Sequence, residues 1–164
     1  MEKAFLIIGI VCICLLVLVI VGSFLLNKKK VKLKNTVLGT GSINYREFEK
    51  NWSGSSGKKG FNTGYKYNSC CGCYIITIYS HKIVDDNYLN YEKVFVGSAP
   101  NVFLKIHNHF TGKGNPEIGT ACKKGKYVYV SVIPCEKEQL AKTEKQLATV
   151  FAETKFKNPF SKNK

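Results

Sequence analysis

Cys73–Tyr79 reads CYIITIY. The run is β-branched and aromatic throughout, which is what a strand is made of. Working outward, Ser80–Asn90 carries Asp85-Asp86-Asn87 and reads as a polar loop. Lys93–Val96 (KVFV) follows as a second short strand, ended by Gly97. Pro100 stands where a helix can start, with Asn101, Val102, Leu104, Ile106 and Phe110 behind it. Thr111–Lys126, with Gly112, Gly114, Pro116, Gly119 and Gly125, reads as a loop. Tyr127–Ile133 (YVYVSVI) alternates as a third strand does, and Pro134 stops it. Glu136–Glu153 then places Leu140, Thr143, Leu147, Val150 and Phe151 at helical spacing, and Asn158-Pro159 closes the domain. The order strand, strand, helix, strand, helix predicts an α+β domain: a small sheet with helices packed on it.

Upstream, Asn35–Asn68 is rich in Gly, Ser, Asn and Lys, and Ser53–Gly60 (SGSSGKKG) has the composition of a flexible linker. Tyr45, Phe48 and Trp52 interrupt it, either docked on the domain or at a lipid interface. Further back, Ala4–Leu26 carries no charged residue, and Lys28-Lys29-Lys30 follows at once. A bilayer core about 30 Å thick needs roughly 20 helical residues, so the run predicts one transmembrane helix. It is too long for the apolar core of a cleaved signal peptide, and Glu2 and Lys3 cancel ahead of it. Lys28, Lys29, Lys30, Lys32 and Lys34 outweigh Lys3, so the C-terminal part is expected in the cytoplasm, single-pass. The expected organisation is an anchor over 1–27, a basic flank and linker over 28–68, the domain over 69–160, and a basic tail over 161–164.

The chain of 164 residues has a formal charge of +14, with Arg46 as its one arginine. A lysine- and asparagine-rich composition arises from codon bias as readily as from selection for a polyanion, so the charge is weak evidence for nucleic acid. Cys12 and Cys14 suit apolar filler. Cys70, Cys71, Cys73, Cys122 and Cys135 are an odd set for a disulfide framework. No second Cys-x-x-Cys pair or neighbouring histidine completes a tetrahedral metal site around Cys70-Cys71-Gly72-Cys73, so buried or half-buried thiols are the expectation.

Gly72-Cys73-Tyr74 on the opening strand and Phe95-Val96-Gly97 on the second, followed by helix, strand and helix, resemble the GIY-YIG nuclease domain. The resemblance covers about Cys71–Asn158. It implies a three-stranded antiparallel sheet flanked by helices, and metal-dependent phosphodiester hydrolysis on DNA. Where the family carries an arginine and then a histidine on the first helix, this chain has Lys105 and His109. Glu144 stands at the family's metal-binding glutamate, which implies Mg²⁺ or another divalent ion. Asn158 stands at a closing asparagine. Catalytic roles then fall to Tyr74, Lys105, His109 and Glu144. Lys113, Lys123, Lys124 and Lys126 are candidates for contact with the phosphate backbone.

Two departures from the family matter chemically. Phe95 lacks the hydroxyl of the second signature tyrosine, and Lys105 keeps the charge of the arginine but loses its planar fork. Each residue also has a plainer place. Tyr74 and Phe95 suit the core, Lys105 and His107 suit solvent, and Glu144 suits a row of acids with Glu136, Glu138 and Glu153 that laces the last helix with lysines. Two functions therefore stand side by side: a membrane-tethered endonuclease, and a catalytically inactive module. The module would bind nucleic acid, lipid head groups or other proteins of a membrane-bound assembly, viral ones included.

Overall fold

The computed structural model describes residues 21–23, 25–39, 41–53, 70–84 and 88–151. The chain divides into two units, Met1–Thr36 and Val37–Lys164. In the first, residues 21–23 and 25–36 are helical, and Val21, Leu25, Leu26, Val31 and Leu33 are exposed. Among the described residues no helix is long and apolar enough to cross a membrane. The run expected to span, Ala4–Leu26, lies outside the described residues except for Val21–Ser23, Leu25 and Leu26.

The second unit is an α+β domain built on an antiparallel sheet. Its strands are β1 (Ile43–Asn44), β2 (Gly72–Tyr79), β3 (Lys93–Ala99) and β4 (Tyr127–Pro134), in the order β1-β4-β2-β3. All three pairings are antiparallel. β2 lies between β3 and β4 and is buried along its whole length. That explains why CYIITIY is continuously apolar rather than alternating: both of its faces are covered. Tyr74, Ile76 and Ile78 point to one layer, and Cys73 and Ile75 to the other.

The first layer holds α1 (Tyr45–Ser53), α2 (Val102–Phe110) and α3 (Pro116–Lys123). Asn101 caps α2, its side chain accepting from the Leu104 N–H at 3.2 Å. Val102, Phe103, Ile106 and Phe110 form the buried face, while Leu104 turns outward. The second layer holds α4 (Leu140–Phe151), entered through a short 3₁₀ turn over Lys137–Gln139. Leu147 and Phe151 are buried there with Leu38, and Leu140 and Val150 pack beside them.

Three expectations are corrected. The three-stranded sheet has a fourth strand, because Ile43 and Asn44 pair with Val130 and Tyr129. The linker expected over 28–68 contains part of the domain: β1 and α1 lie inside it, and its residues 40 and 54–68 fall outside the described ones. Phe48 is fully buried, edge-on to Phe110 with ring centroids 5.3 Å apart and tilted against Phe103 at 6.1 Å. Tyr45, Phe48 and Trp52 therefore dock on the domain. Last, the loop expected over Thr111–Lys126 contains α3. Asn115 caps it by accepting from the Glu117 N–H at 2.8 Å, and Pro116 follows at the helix start, where a missing N–H costs nothing.

Truncating Phe48 tests this corrected boundary. Phe48→Ala is expected to lower unfolding free energy by about 3–5 kcal/mol, measured by urea denaturation of the full chain. A solvated linker residue would lose almost nothing.

Candidate functional site

Among the described residues the sheet stops at β3, which leaves its outer edge open between the two helical layers. A cavity of about 450 Å³ forms around that edge. Its walls include Tyr74 from β2, Phe95, Gly97 and Ser98 from β3, Lys105 and His109 from α2, Lys113 and Asn115 from the loop after it, and Glu144 from α4. All four residues expected to carry chemistry, Tyr74, Lys105, His109 and Glu144, are among them. The site is assembled from both faces of the sheet, which only an edge position permits.

Tyr74 reaches the edge because its register partner on β3 is Gly97. A Cβ at Gly97 would collide with the Tyr74 hydroxyl and the ring carbon that bears it. The glycine of the second signature is thus the gap through which the tyrosine passes. Lys105 and His109 lie one helical turn apart on α2 and face the cavity together. His107 points elsewhere. Its Nδ1 meets both carboxylate oxygens of Glu49 at 3.0 Å, and its ring stacks on Trp52 at 4.7 Å. The exposed position expected for His107 is corrected: it is a half-buried clasp between α2 and α1. Burial raises the Glu49 carboxyl above its ordinary range, while His107 pulls it down.

The Asn115 N–H donates to His109 Nδ1 at 2.8 Å. Nδ1 is therefore the acceptor and the ring proton sits on Nε2. Nε2 lies 2.8 Å from the Tyr74 hydroxyl oxygen, so it donates to that oxygen. The tyrosine's own proton is left to point away from the histidine. A side chain at Gly114 would press into the His109 ring, so this second glycine keeps the ring in place. Burial, with the Lys105 charge nearby, lowers His109 to about 4. Burial, with the Glu144 charge nearby, pushes the Tyr74 phenol well above its ordinary value. At neutral pH the pair is an uncharged imidazole donating to an uncharged phenol.

Glu144 crosses the edge from the opposite layer. The Ser98 hydroxyl donates to one of its carboxylate oxygens at 2.5 Å. The second oxygen makes the group suitable for a cation. A single carboxylate with a hydroxyl beside it, in the wall of a roomy cavity, fits Mg²⁺, which typically takes one or two carboxylates and fills its remaining positions with water and phosphate oxygens.

Of the lysines expected on a phosphate backbone, Lys113 is exposed and lines the cavity. The others do not line it. Lys123 is exposed at the end of α3, and Lys124 and Lys126 border a separate cleft with Glu92 and Lys93. Lys126 is paired with Glu92 at 2.6 Å. Asn158 lies outside the described residues. Ser98 and Asn115 escaped sequence reasoning. The Asn-Pro-Glu order at Asn115 was a usable helix-start signal, whereas nothing local marks Ser98. No protein-family model, curated protein or solved structure matches this chain.

The half-buried neutral histidine has a consequence for stability. His109 binds its proton more weakly in the folded chain, at about 4, than its ordinary 6.5. Between those values the unfolded chain holds more protons, so stability falls as pH drops through that window. Urea midpoints taken from pH 7 to pH 4 are expected to fall for the native chain. They are expected to fall less for His109→Gln, which has no proton to bind.

Proposed function

We propose that Val37–Lys164 is a GIY-YIG-like nuclease domain that hydrolyses DNA phosphodiesters with a divalent metal at Glu144. The apolar run Ala4–Leu26 would hold it at a membrane. One observation carries the reading. Tyr74, Lys105, His109 and Glu144, which the resemblance assigns to one reaction, line one cavity, and two of them are hydrogen-bonded there. Shared work on a single phosphate requires that convergence.

Phosphodiester hydrolysis needs an activated water, neutralised phosphate charge and help for the leaving oxygen. A divalent ion, when bound, supplies charge for the phosphate and the leaving oxygen. Lys105 and Lys113 put two further positive charges on the cavity wall, where a phosphate enters. Ser98 fixes the rotamer of Glu144. Tyr74 takes the proton from water as general base. The base is the phenolate, formed beforehand by loss of the phenol proton to solvent, and it returns to the phenol as it takes the proton from water. His109 keeps its Nε2–H on that oxygen, and Asn115 prevents the imidazole from turning over. The raised Tyr74 value demands alkaline pH or neutralisation of Glu144, since the Glu144 charge is its second cause after burial.

Phe95 and Lys105 favour a second reading. The aromatic ring of Phe95 lines the cavity with no hydroxyl, and lysine lacks the bidentate geometry of arginine. A domain that keeps the shape without the chemistry would bind nucleic acid, lipid head groups or a protein instead of cutting.

The test is cleavage of supercoiled and linear DNA by the full chain in detergent, with Mg²⁺ or Mn²⁺. Cutting is expected to rise with pH and to drop by roughly 100-fold or more in Glu144→Ala and Tyr74→Phe. Lys105→Arg is expected to retain it. No cleavage of any DNA form by folded protein with any divalent ion removes the hydrolytic reading. In that case DNA affinity that falls steeply between about 50 and 200 mM salt marks a nucleic-acid module, and a flat salt response marks a protein-binding one.

A further inference from the structure

A group of thiols lies at one end of the sheet and has no part in the cavity chemistry. The β2–β4 ladder pairs Cys73 with Ile133 and Gly72 with Pro134. One step further, the Cys135 N–H donates to the Cys71 carbonyl at 3.2 Å, so these two cysteines face each other across the strands. Alternation along β2 puts Cys71 and Cys73 on one face with Cys135, and Cys70 on the other. Burial agrees: Cys73 and Cys135 pack in the α4 layer and Cys70 in the opposite one. All of these cysteines are free, with Cys71 and Cys135 half-exposed and Cys73 buried.

Directly opposed residues of an antiparallel hydrogen-bonded pair have Cα atoms about 5.5 Å apart. A disulfide accepts about 4.4–6.8 Å. The Cys71–Cys135 position can therefore close without breaking the ladder. Among the described residues, no group of three or more His, Cys, Asp or Glu side chains is arranged to hold a metal ion, which leaves the pairwise geometry to carry the argument. Burial keeps Cys73 protonated, its thiol pushed up to about 12, so the half-exposed pair reacts in its place.

We propose that Cys71 and Cys135 form a reversible dithiol–disulfide couple, a covalent modification site at the base of α4 that a low-molecular-weight disulfide oxidises. One cysteine thiolate attacks a sulfur of the oxidant RSSR, its S–S bond breaks, and RS⁻ leaves. The second cysteine thiolate attacks the protein-bound sulfur of that mixed disulfide and expels the other RS⁻. Two electrons pass from the cysteines to the oxidant, and the two cysteine protons end on two RSH.

The position gives the couple a structural reach. Cys73, beside the pair, donates its S–H to the Leu140 carbonyl at 3.7 Å, at the first residue of α4. Glu144 is one turn further along, and it is held by Ser98, the register partner of Cys73. A bond between Cys71 and Cys135 would clip the strand ends from which α4 departs. The couple itself follows from the ladder alone and stands whatever the cavity does.

Oxidation of the reduced full chain with glutathione disulfide, followed by non-reducing digestion and tandem mass spectrometry, tests it. The expected result is a single intramolecular link between Cys71 and Cys135 that dithiothreitol reverses and that raises the thermal midpoint by several degrees. Cys70→Ser and Cys73→Ser are expected to keep the link. Cys71→Ser and Cys135→Ser are expected to abolish it, with circular dichroism confirming that each variant folds. Glutathione adducts without a link, or a link that joins Cys73 or Cys70 to Cys135, would overturn the assignment.

Discussion

Burial of β2 on both faces is the constraint on which the rest of this domain depends. A strand with neighbours on both sides satisfies its backbone donors and acceptors in the ladder, so its side chains can be apolar in both directions. Helices must then cover both faces, and α1, α2 and α3 take one while α4 takes the other. The polar exceptions are paired. The buried Tyr79 phenol donates to the Tyr88 carbonyl at 2.9 Å, and among the described residues no buried side-chain polar atom lacks a partner. Tyr74 is a buried core residue whose hydroxyl passes Gly97 to reach the cavity.

That arrangement makes the candidate site an edge structure. A tyrosine from the central strand and a glutamate from the far layer can approach one another only where the sheet ends. The electrostatics follow from the same packing. The cavity holds exposed lysines, a carboxylate with a hydroxyl on one oxygen, and a neutral histidine–tyrosine pair whose tautomer is set by a backbone N–H. Burial disfavours charge on both members of the pair, lowering the histidine and raising the tyrosine. Proton transfer at Tyr74 is therefore tied to the charge state of Glu144.

Legibility in the sequence tracked how local each signal is. CYIITIY, KVFV and YVYVSVI were readable because strand composition is a property of seven or eight residues. Helix α4 was readable from the spacing of Leu140, Leu147 and Phe151. The first layer was harder. Tyr45, Phe48 and Trp52 stand at helical spacing and Asn44 accepts from the Arg46 N–H at 2.9 Å, a helix-start arrangement. Surrounding Gly, Ser and Lys masked it, since composition averages over a window while a helix needs only one apolar stripe. For α3, the glycines outweighed the Asn115-Pro116 cap.

By itself the sequence marked the three longer strands, two of the helices packed on them, and the residue types that phosphate chemistry would use. These depend on periodicity and side-chain chemistry, which are written along the chain. Only the tertiary structure decided that Tyr74, Lys105, His109 and Glu144 share one cavity, that Ser98 and Asn115 hold two of them in position, and that Cys71 faces Cys135. It also decided that the residues at 43–53 belong to the fold. Each of these is a distance between residues far apart in the chain. Strand register and helix packing set such distances, and no local pattern encodes them.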